Sequence, residues 1–388
     1  MLLRIKSLIL VIFLAIWSGQ AVAFETKARA AYVLDEGTGT ILLAKNADDA
    51  LPPASMSKLM TLYMALEFIK AGNLRLDEKL PVSRHAQNYG GSTMFLDTTD
   101  RISVEDLLKG IIVLSGNDAS AVLAEALSPD GTEAGFAKMM TIRAQQLGMT
   151  NSIFKNSNGW PTQGHVMSMR DLGLLANLLI TDFPEYYGLF AQKEFKFDGR
   201  APANTLNRNP LLGLGIGADG LKTGHTQEAG FGLVGSAKQG DRRIIFAISG
   251  LDSSQARAEE AEAMVNWAFR QFATKSFGTK GQTIVSAPIW DGDAATVDLG
   301  LAEDLNVTVP ILTNQDVTFE AKYQTPLLSP IIEGNQYGTL TVKPTGLPQF
   351  DVPLIAKSNV VNGGFTSKLT VAAKTLLSKI EQRSAGAN

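Results

Sequence analysis

The sequence predicts an α/β fold of the α+β kind: one antiparallel sheet with helices packed on it, followed by a small all-β unit. Three observations carry this. Hairpin-like pairs of short apolar runs occur near residues 31–44 and again near 231–249, at the two ends of one long segment. Helical periodicity fills much of the stretch between them. From residue 283 to 355 the pattern changes to short alternating runs divided by prolines and glycines, with no helical stretch.

Taken in order, residues 31–34 and 40–44 flank Asp35-Glu36-Gly37-Thr38-Gly39, a turn composition. Pro52-Pro53 punctuates the chain. Residues 55–70 then carry Leu59, Met60, Leu62, Tyr63, Leu66, Phe68 and Ile69 at helical spacing. Ser103 with Asp106 forms a capping-box start to a second helix through Leu107, Leu108, Ile111 and Ile112. Residues 119–127 make an alanine-rich helix, and residues 169–180 another. Residues 231–237 and 242–249 pair around Lys238-Gln239-Gly240-Asp241, and residues 256–273 form a helix whose early glutamates complement its positive start. The β-rich runs lie at 307–312, 317–323 and 338–342. In the tail, Leu369, Ala372, Ala373, Leu376, Leu377 and Ile380 share one helical face, with Lys368, Lys374, Lys379 and Arg383 around it.

At the other end, Arg4 and Lys6 precede an apolar run at 7–17, and Ala21-Val22-Ala23 supplies small residues at a cleavage position. That is the layout of a secretory signal peptide, and the run is short for a membrane span of about 20 residues. The expected organisation is therefore a signal peptide over 1–23, a catalytic domain over 24–275, a β-rich domain over 276–365 and an amphipathic tail over 366–388.

Composition narrows the chemistry. The 388 residues carry a formal net charge of -3, which gives no electrostatic reason to expect a nucleic-acid partner. There is no cysteine, so disulfides, thiol catalysis and cysteine-type zinc sites are excluded. Only His85, His165 and His225 are available, too few to suggest a histidine metal site. No metal and no cofactor are expected. Reactive groups must come from Ser, Thr, Lys, Asn, Arg and carboxylates.

Three short motifs offer such groups. In Ser55-Met56-Ser57-Lys58 the serine and lysine stand about one helical turn apart and face the same side. A serine hydroxyl needs a base, and a lysine can serve if burial or a neighbouring cation lowers its pKa. The helix start adds N–H groups where negative charge would develop. In Ser115-Gly116-Asn117 a hydroxyl can relay a proton, while an amide can hold a substrate carbonyl or fix the lysine. In Lys222-Thr223-Gly224-His225 an edge strand offers a cation, a hydroxyl for a carboxylate, and a glycine that admits close backbone approach. Each motif has a plainer explanation by itself: a capped surface helix, a helix stop followed by a cap, a polar strand after a turn.

Their order is more telling than any one of them. Ser-x-x-Lys, Ser-x-Asn and Lys-Thr-Gly, well separated and in that sequence, resemble the penicillin-binding proteins and class A β-lactamases. Pro53-Ala54-Ser55, Ser115-Gly116-Asn117-Asp118-Ala119 and Asp219-Gly220-Leu221-Lys222-Thr223-Gly224-His225-Thr226 resemble the low-molecular-mass D-alanyl-D-alanine carboxypeptidases in particular, over nearly the whole mature chain.

That resemblance implies a β-lactamase/transpeptidase-like catalytic domain and hydrolysis of the terminal D-alanine from peptidoglycan stem peptides, with β-lactams as covalent inhibitors. It implies Ser55 as nucleophile, Lys58 as base, and Ser115, Asn117 and Lys222 as the remaining proton and hydrogen-bond network. The backbone N–H groups of Ser55 and His225 would form the oxyanion hole, with Gly224 beside it. Thr223 and Arg208 would bind the terminal carboxylate, and Asp171 matches a family carboxylate near the site. It also implies a periplasmic enzyme whose tail makes peripheral contact with the inner membrane. One departure is visible: some members have a histidine where this chain has Asn158.

Rival readings leave marks of their own. A class A β-lactamase needs a glutamate between the second and third motifs to drive water onto the acyl-enzyme. No Asp or Glu occurs from Phe136 through Arg170. A transpeptidase would use the same acyl-enzyme with an amine acceptor, and these motifs do not separate the two. An inactive binding module would be expected to have lost Ser55, Lys58 or Lys222, and all three are present.

Overall fold

The computed structural model describes residues 24–200, 203–311 and 317–364. The signal-peptide and tail expectations, at 1–23 and 366–388, lie outside the described residues.

Five antiparallel strands form the central sheet: β1 (Ala30–Asp35), β2 (Thr40–Lys45), β3 (Ala218–Thr226), β4 (Gly230–Gln239) and β5 (Arg242–Leu251), in the order β2-β1-β5-β4-β3. The first and last segments meet as expected, with Tyr32 opposite Ala247. β5 reads Arg-Arg-Ile-Ile-Phe-Ala-Ile-Ser-Gly-Leu, apolar on both faces because both faces are covered. Ile245 and Ala247 enter the larger core, while Ile244, Phe246 and Ile248 enter a second core on the opposite face.

Five helices supply those covers: α1 (Lys58–Lys70), α2 (Asn117–Leu127), α3 (Glu133–Gln146), α4 (Met169–Asp182) and α5 (Ser254–Gln271). Met264, Val265 and Ala268 of α5 complete the second core, and the other four helices belong to the first. Every residue of α1 from Lys58 to Leu66 is buried, so this helix is central and not the one-sided surface helix that periodicity suggests. Small side chains let α2 pack on several sides, with Asn117 through Ala124 all buried. Ser103 caps the short Val104–Lys109 helix, accepting from the Asp106 N–H; the chain continues as a π-helical turn over Gly110–Leu114. α3 was not expected from the sequence, since its exposed polar positions blur the apolar period.

The all-β unit beyond has its own core, including Val297, Leu299, Val307 and Val342. It is built on antiparallel pairs such as Thr283–Trp290 with Thr296–Leu301, and Gln336–Pro344 with Phe350–Ala356. The strand Phe272–Gly278 follows α5 directly and pairs with Leu305–Pro310. No helix of the described residues is long and apolar enough to cross a membrane.

Arg242 ties this junction together. Its guanidinium donates to the wholly buried Asp35 at 2.6 Å and to the carbonyls of Ala268 (2.9 Å) and Phe272 (2.6 Å). Removing one partner of a buried pair strands the other charge. Arg242→Met should therefore lower unfolding free energy by about 3–5 kcal/mol, measured by urea denaturation of the purified protein.

Candidate active site

Ser55 sits in a single 3-10 turn, Ala54–Ser57, immediately before α1 and not within the α-helix itself. It is the one half-exposed residue in that turn, with Ala54, Met56 and Ser57 buried. One turn on, the Lys58 ammonium group is fully buried and makes three contacts: Ser55 Oγ at 2.9 Å, Asn117 Oδ1 at 2.7 Å and the Asn158 carbonyl at 2.6 Å. None of these is a carboxylate. Burial, and then the positive charges of Lys222 and Arg208, hold the Lys58 pKa well below that of an ordinary lysine.

The second motif comes from the turn between Gly110–Leu114 and α2. Ser115 is left-handed there, with φ 63°, and is buried. The Asn117 amide is used at both ends, accepting from Lys58 and donating to the Gly90 carbonyl at 2.8 Å. Of the two roles the sequence left open, this occupancy favours fixing the lysine.

The third motif lies on β3, the sheet edge, where Lys222 and Thr223 are buried. Among the described residues no hydrogen bond reaches the Lys222 amine; burial, then Arg208 and Arg257, lower its pKa to about 7. Gly224 is where the strand meets the serine turn. A Cβ there would stand 2.9 Å from the Pro53 carbonyl oxygen and 3.0 Å from Met56 Cγ. A Cβ on Gly159 would run into the Ala54 carbonyl, and its φ is +80°. The serine turn is thus approached closely by two glycines.

Arg208 bonds Ser92 Oγ at 2.6 Å and Asn204 Oδ1 at 3.1 Å. It shares the field of Lys58 and Lys222, as the causes of their shifts require. His225 stacks on Phe231 with centroids 3.8 Å apart. Asp171 stands apart from this group. Its carboxylate accepts from Asn151 N–H (2.9 Å) and Ser152 Oγ (2.7 Å) and bonds none of the other predicted residues.

Sequence reasoning gave no role to three charged residues. Buried Asp118 accepts the N–H groups of Met94 and Leu96, pinning the segment that carries Ser92. Arg257, on α5, is buried with its guanidinium over the Phe231 ring at 5.7 Å. Glu133 is buried behind the Ser157-Asn158 loop. Asp118 directly follows the second motif; Glu133 and Arg257 belong to no motif, and Glu133 opens a helix with no clear apolar period in the sequence. Beside the serine turn a cavity of about 390 Å³ is lined by Pro53, Ala54, Trp160, His165, Thr226 and Glu228.

A half-exposed serine on a desolvated lysine, under a cationic edge strand, defines the class of lysine-assisted serine acyl-transfer enzymes. Comparison with known proteins gives the family. Residues 18–253 match the model for D-alanyl-D-alanine carboxypeptidases, and residues 272–362 match the C-terminal domain of penicillin-binding protein 5. The chain belongs to the D-alanyl-D-alanine carboxypeptidase family. It is 36% identical over 353 residues to the carboxypeptidase DacC of Escherichia coli, covering 88% of this chain and 86% of that one. The crystal structure of penicillin-binding protein 5 from Haemophilus influenzae superposes with a TM-score of 0.78 at 30% identity, over 87% of this chain and 98% of that one. The ampicillin-bound penicillin-binding protein D2 of Listeria monocytogenes covers 63% of this chain and 98% of its own, with a TM-score of 0.57 and 33% identity.

The glycine contact gives a test. Gly224→Ala should slow acylation of Ser55 by a fluorescent β-lactam about 10- to 100-fold by displacing the serine turn. Overpacking of this size should lower stability by about 1–3 kcal/mol. Stopped-flow labelling and urea denaturation measure the two effects separately.

Proposed function

We propose that this chain is a serine D-alanyl-D-alanine carboxypeptidase that trims the terminal D-alanine from peptidoglycan stem pentapeptides through an acyl-enzyme on Ser55. The observation that carries this is the set of three contacts made by Lys58. A neutral amine has two N–H donors and one lone pair. Asn117 Oδ1 and the Asn158 carbonyl can only accept, so they take the two N–H groups. The lone pair is then left for the hydroxyl of Ser55. The lowered pKa favours that neutral form.

Ser55 Oγ would attack the carbonyl of the penultimate D-alanine as its proton passes to Lys58. The N–H groups of Ser55 and His225, the latter flanked by Gly224, would hold the developing oxyanion. Collapse breaks the C–N bond, and the proton returns to the leaving amine by way of Ser115. Water then attacks the ester and regenerates Ser55. Lys222, Thr223 and Arg208 would bind the terminal carboxylate. Their setting supports this, since the nearby carboxylates of Asp118 and Glu133 are already engaged by other donors. Asp171 would act only at a distance, through the 151–152 backbone. A β-lactam presents the same carbonyl and carboxylate and would stop at the acyl stage.

The enzyme is expected in the periplasm, with the tail at 366–388 lying on the inner-membrane surface through its apolar face and basic flank. Deleting residues 366–388 should release the protein from sedimented membranes; unchanged sedimentation overturns the anchoring role.

D-alanine release from a peptide ending in D-Ala-D-Ala should disappear in Ser55→Ala. β-Lactam labelling of the parent protein without release would indicate an amine acceptor, the transpeptidase reading. The pH profile has a definite sign. Burial, Arg208 and Arg257 bring the Lys222 pKa to about 7, so its charge is lost as pH rises through that value. The alkaline limb of kcat/KM, which reports free enzyme, should begin near there. A bound carboxylate favours the ammonium form, so the corresponding limb of kcat should lie at higher pH.

A further inference from the structure

We infer that Glu133 is a positioning residue of this site, holding the loop whose carbonyl aims the Lys58 lone pair at Ser55. Glu133 opens α3 and is 6% exposed. Its Oε1 accepts from the Ser157 N–H at 2.9 Å, from Ser157 Oγ at 2.5 Å and from Asn158 Nδ2 at 3.4 Å. Its Oε2 accepts from Tyr89 OH at 2.6 Å and from His85 Nε2 at 2.7 Å. One carboxylate thereby joins three segments: the stretch 85–89, the start of α3 and the 157–158 loop.

The mechanical consequence runs through Asn158. Its carbonyl and Asn117 Oδ1 are the acceptors that hold the N–H groups of Lys58, so moving it frees the amine to rotate and misdirects the lone pair. Thr61 Oγ1 supports the same loop, donating to the Ser157 carbonyl at 2.6 Å. Glu133 is not itself a base for water. Both its oxygens are saturated with donors, and those from Ser157, Tyr89 and His85 outweigh its burial and hold its carboxyl below the usual range. Its negative charge also acts on Lys58. Lys222 and Arg208 push that lysine's pKa down, while Asp118 and Glu133 push it up. Nearby His165 is lowered to about 4, chiefly by burial, and stays neutral through the working range. Tyr89 stays neutral too, its pKa raised by burial and by Glu133.

This inference rests on the proposed roles of Ser55 and Lys58, and the experiment separates the two. Per β-lactam-titrated active site, Glu133→Ala should lower kcat about 10- to 100-fold with little change in KM. Glu133→Gln, which can still accept from Ser157, should recover much of that rate. In both variants the loss of negative charge lowers the Lys58 pKa further, so the acid limb of the acylation profile moves to lower pH. Ser157→Ala, a milder change, should lower the rate while leaving the Glu133 charge and the limb in place. A purely structural role would reduce the number of active sites without moving the limb. Wild-type rate and limb in all these variants, or a loss carried by KM, overturns the inference. NMR titration of the Lys58 Cε resonance, assigned by its loss in Lys58→Arg, reads the same shift without any reaction. If the parent protein neither released D-alanine nor took a β-lactam, the role of Ser55 would fall. The titration would still decide whether Glu133 tunes Lys58, and an unmoved resonance would overturn that.

Discussion

The constraint on which the rest of the site depends is the burial of the Lys58 amine without a carboxylate partner. Placing an ammonium ion in such a position is unfavourable, and a protein relieves it by pairing the charge or by giving up the proton. Here every direct contact is a neutral oxygen, and the nearest other charges include Lys222 and Arg208. Burial and those cations favour loss of the proton. A neutral amine would have one lone pair free of the two amide oxygens, and the serine turn lies within reach of it.

Maintaining that state requires neighbours that deliver oxygen atoms without delivering charge. Asn117 does so from the start of α2, with its other end tied to Gly90. Asn158 does so through its backbone, which Glu133 and Thr61 hold from behind. Asp118 and Glu133 are both close enough to influence the lysine, yet each spends its lone pairs on other groups. The two glycines, 159 and 224, let loop and strand close on the serine turn. Ala54, with φ 49°, bends the chain where the three meet.

The same field that lowers the Lys58 pKa suits an anionic ligand. Burial, then Arg208 and Arg257, lower the Lys222 pKa, and burial, then Arg208, lowers that of Arg257; a substrate carboxylate would supply a counter-charge. Binding and activation are thus coupled electrostatically: a carboxylate entering the cleft offsets part of the positive potential acting on Lys58. The second domain lies outside this logic, with its own core, and is joined to the catalytic sheet where Arg242 gathers Asp35, α5 and the Phe272 strand.

Much of this was legible in the residues themselves. Alternation and turn composition placed both hairpins of the sheet, because the period of two and the Gly/Asp turns are local properties. The three motifs named Ser55, Lys58, Ser115, Asn117 and Lys222 because reactive side chains are chemically distinctive wherever they stand. What the sequence did not contain was distance. That Asn158 contributes its carbonyl and not its side chain to the lysine, that Glu133 stands behind that carbonyl, and that Arg257 from α5 adds to the Lys222 field are facts of tertiary packing. Asp171, equally suggestive in one dimension, turned out to brace residues 151–152. A backbone carbonyl has no signature in sequence, and a buried glutamate reads like a solvated one until its neighbours are known. The chain dictated which groups were available; only the fold decided which of them would be deprived of water and of counter-charge, and that deprivation sets their chemistry.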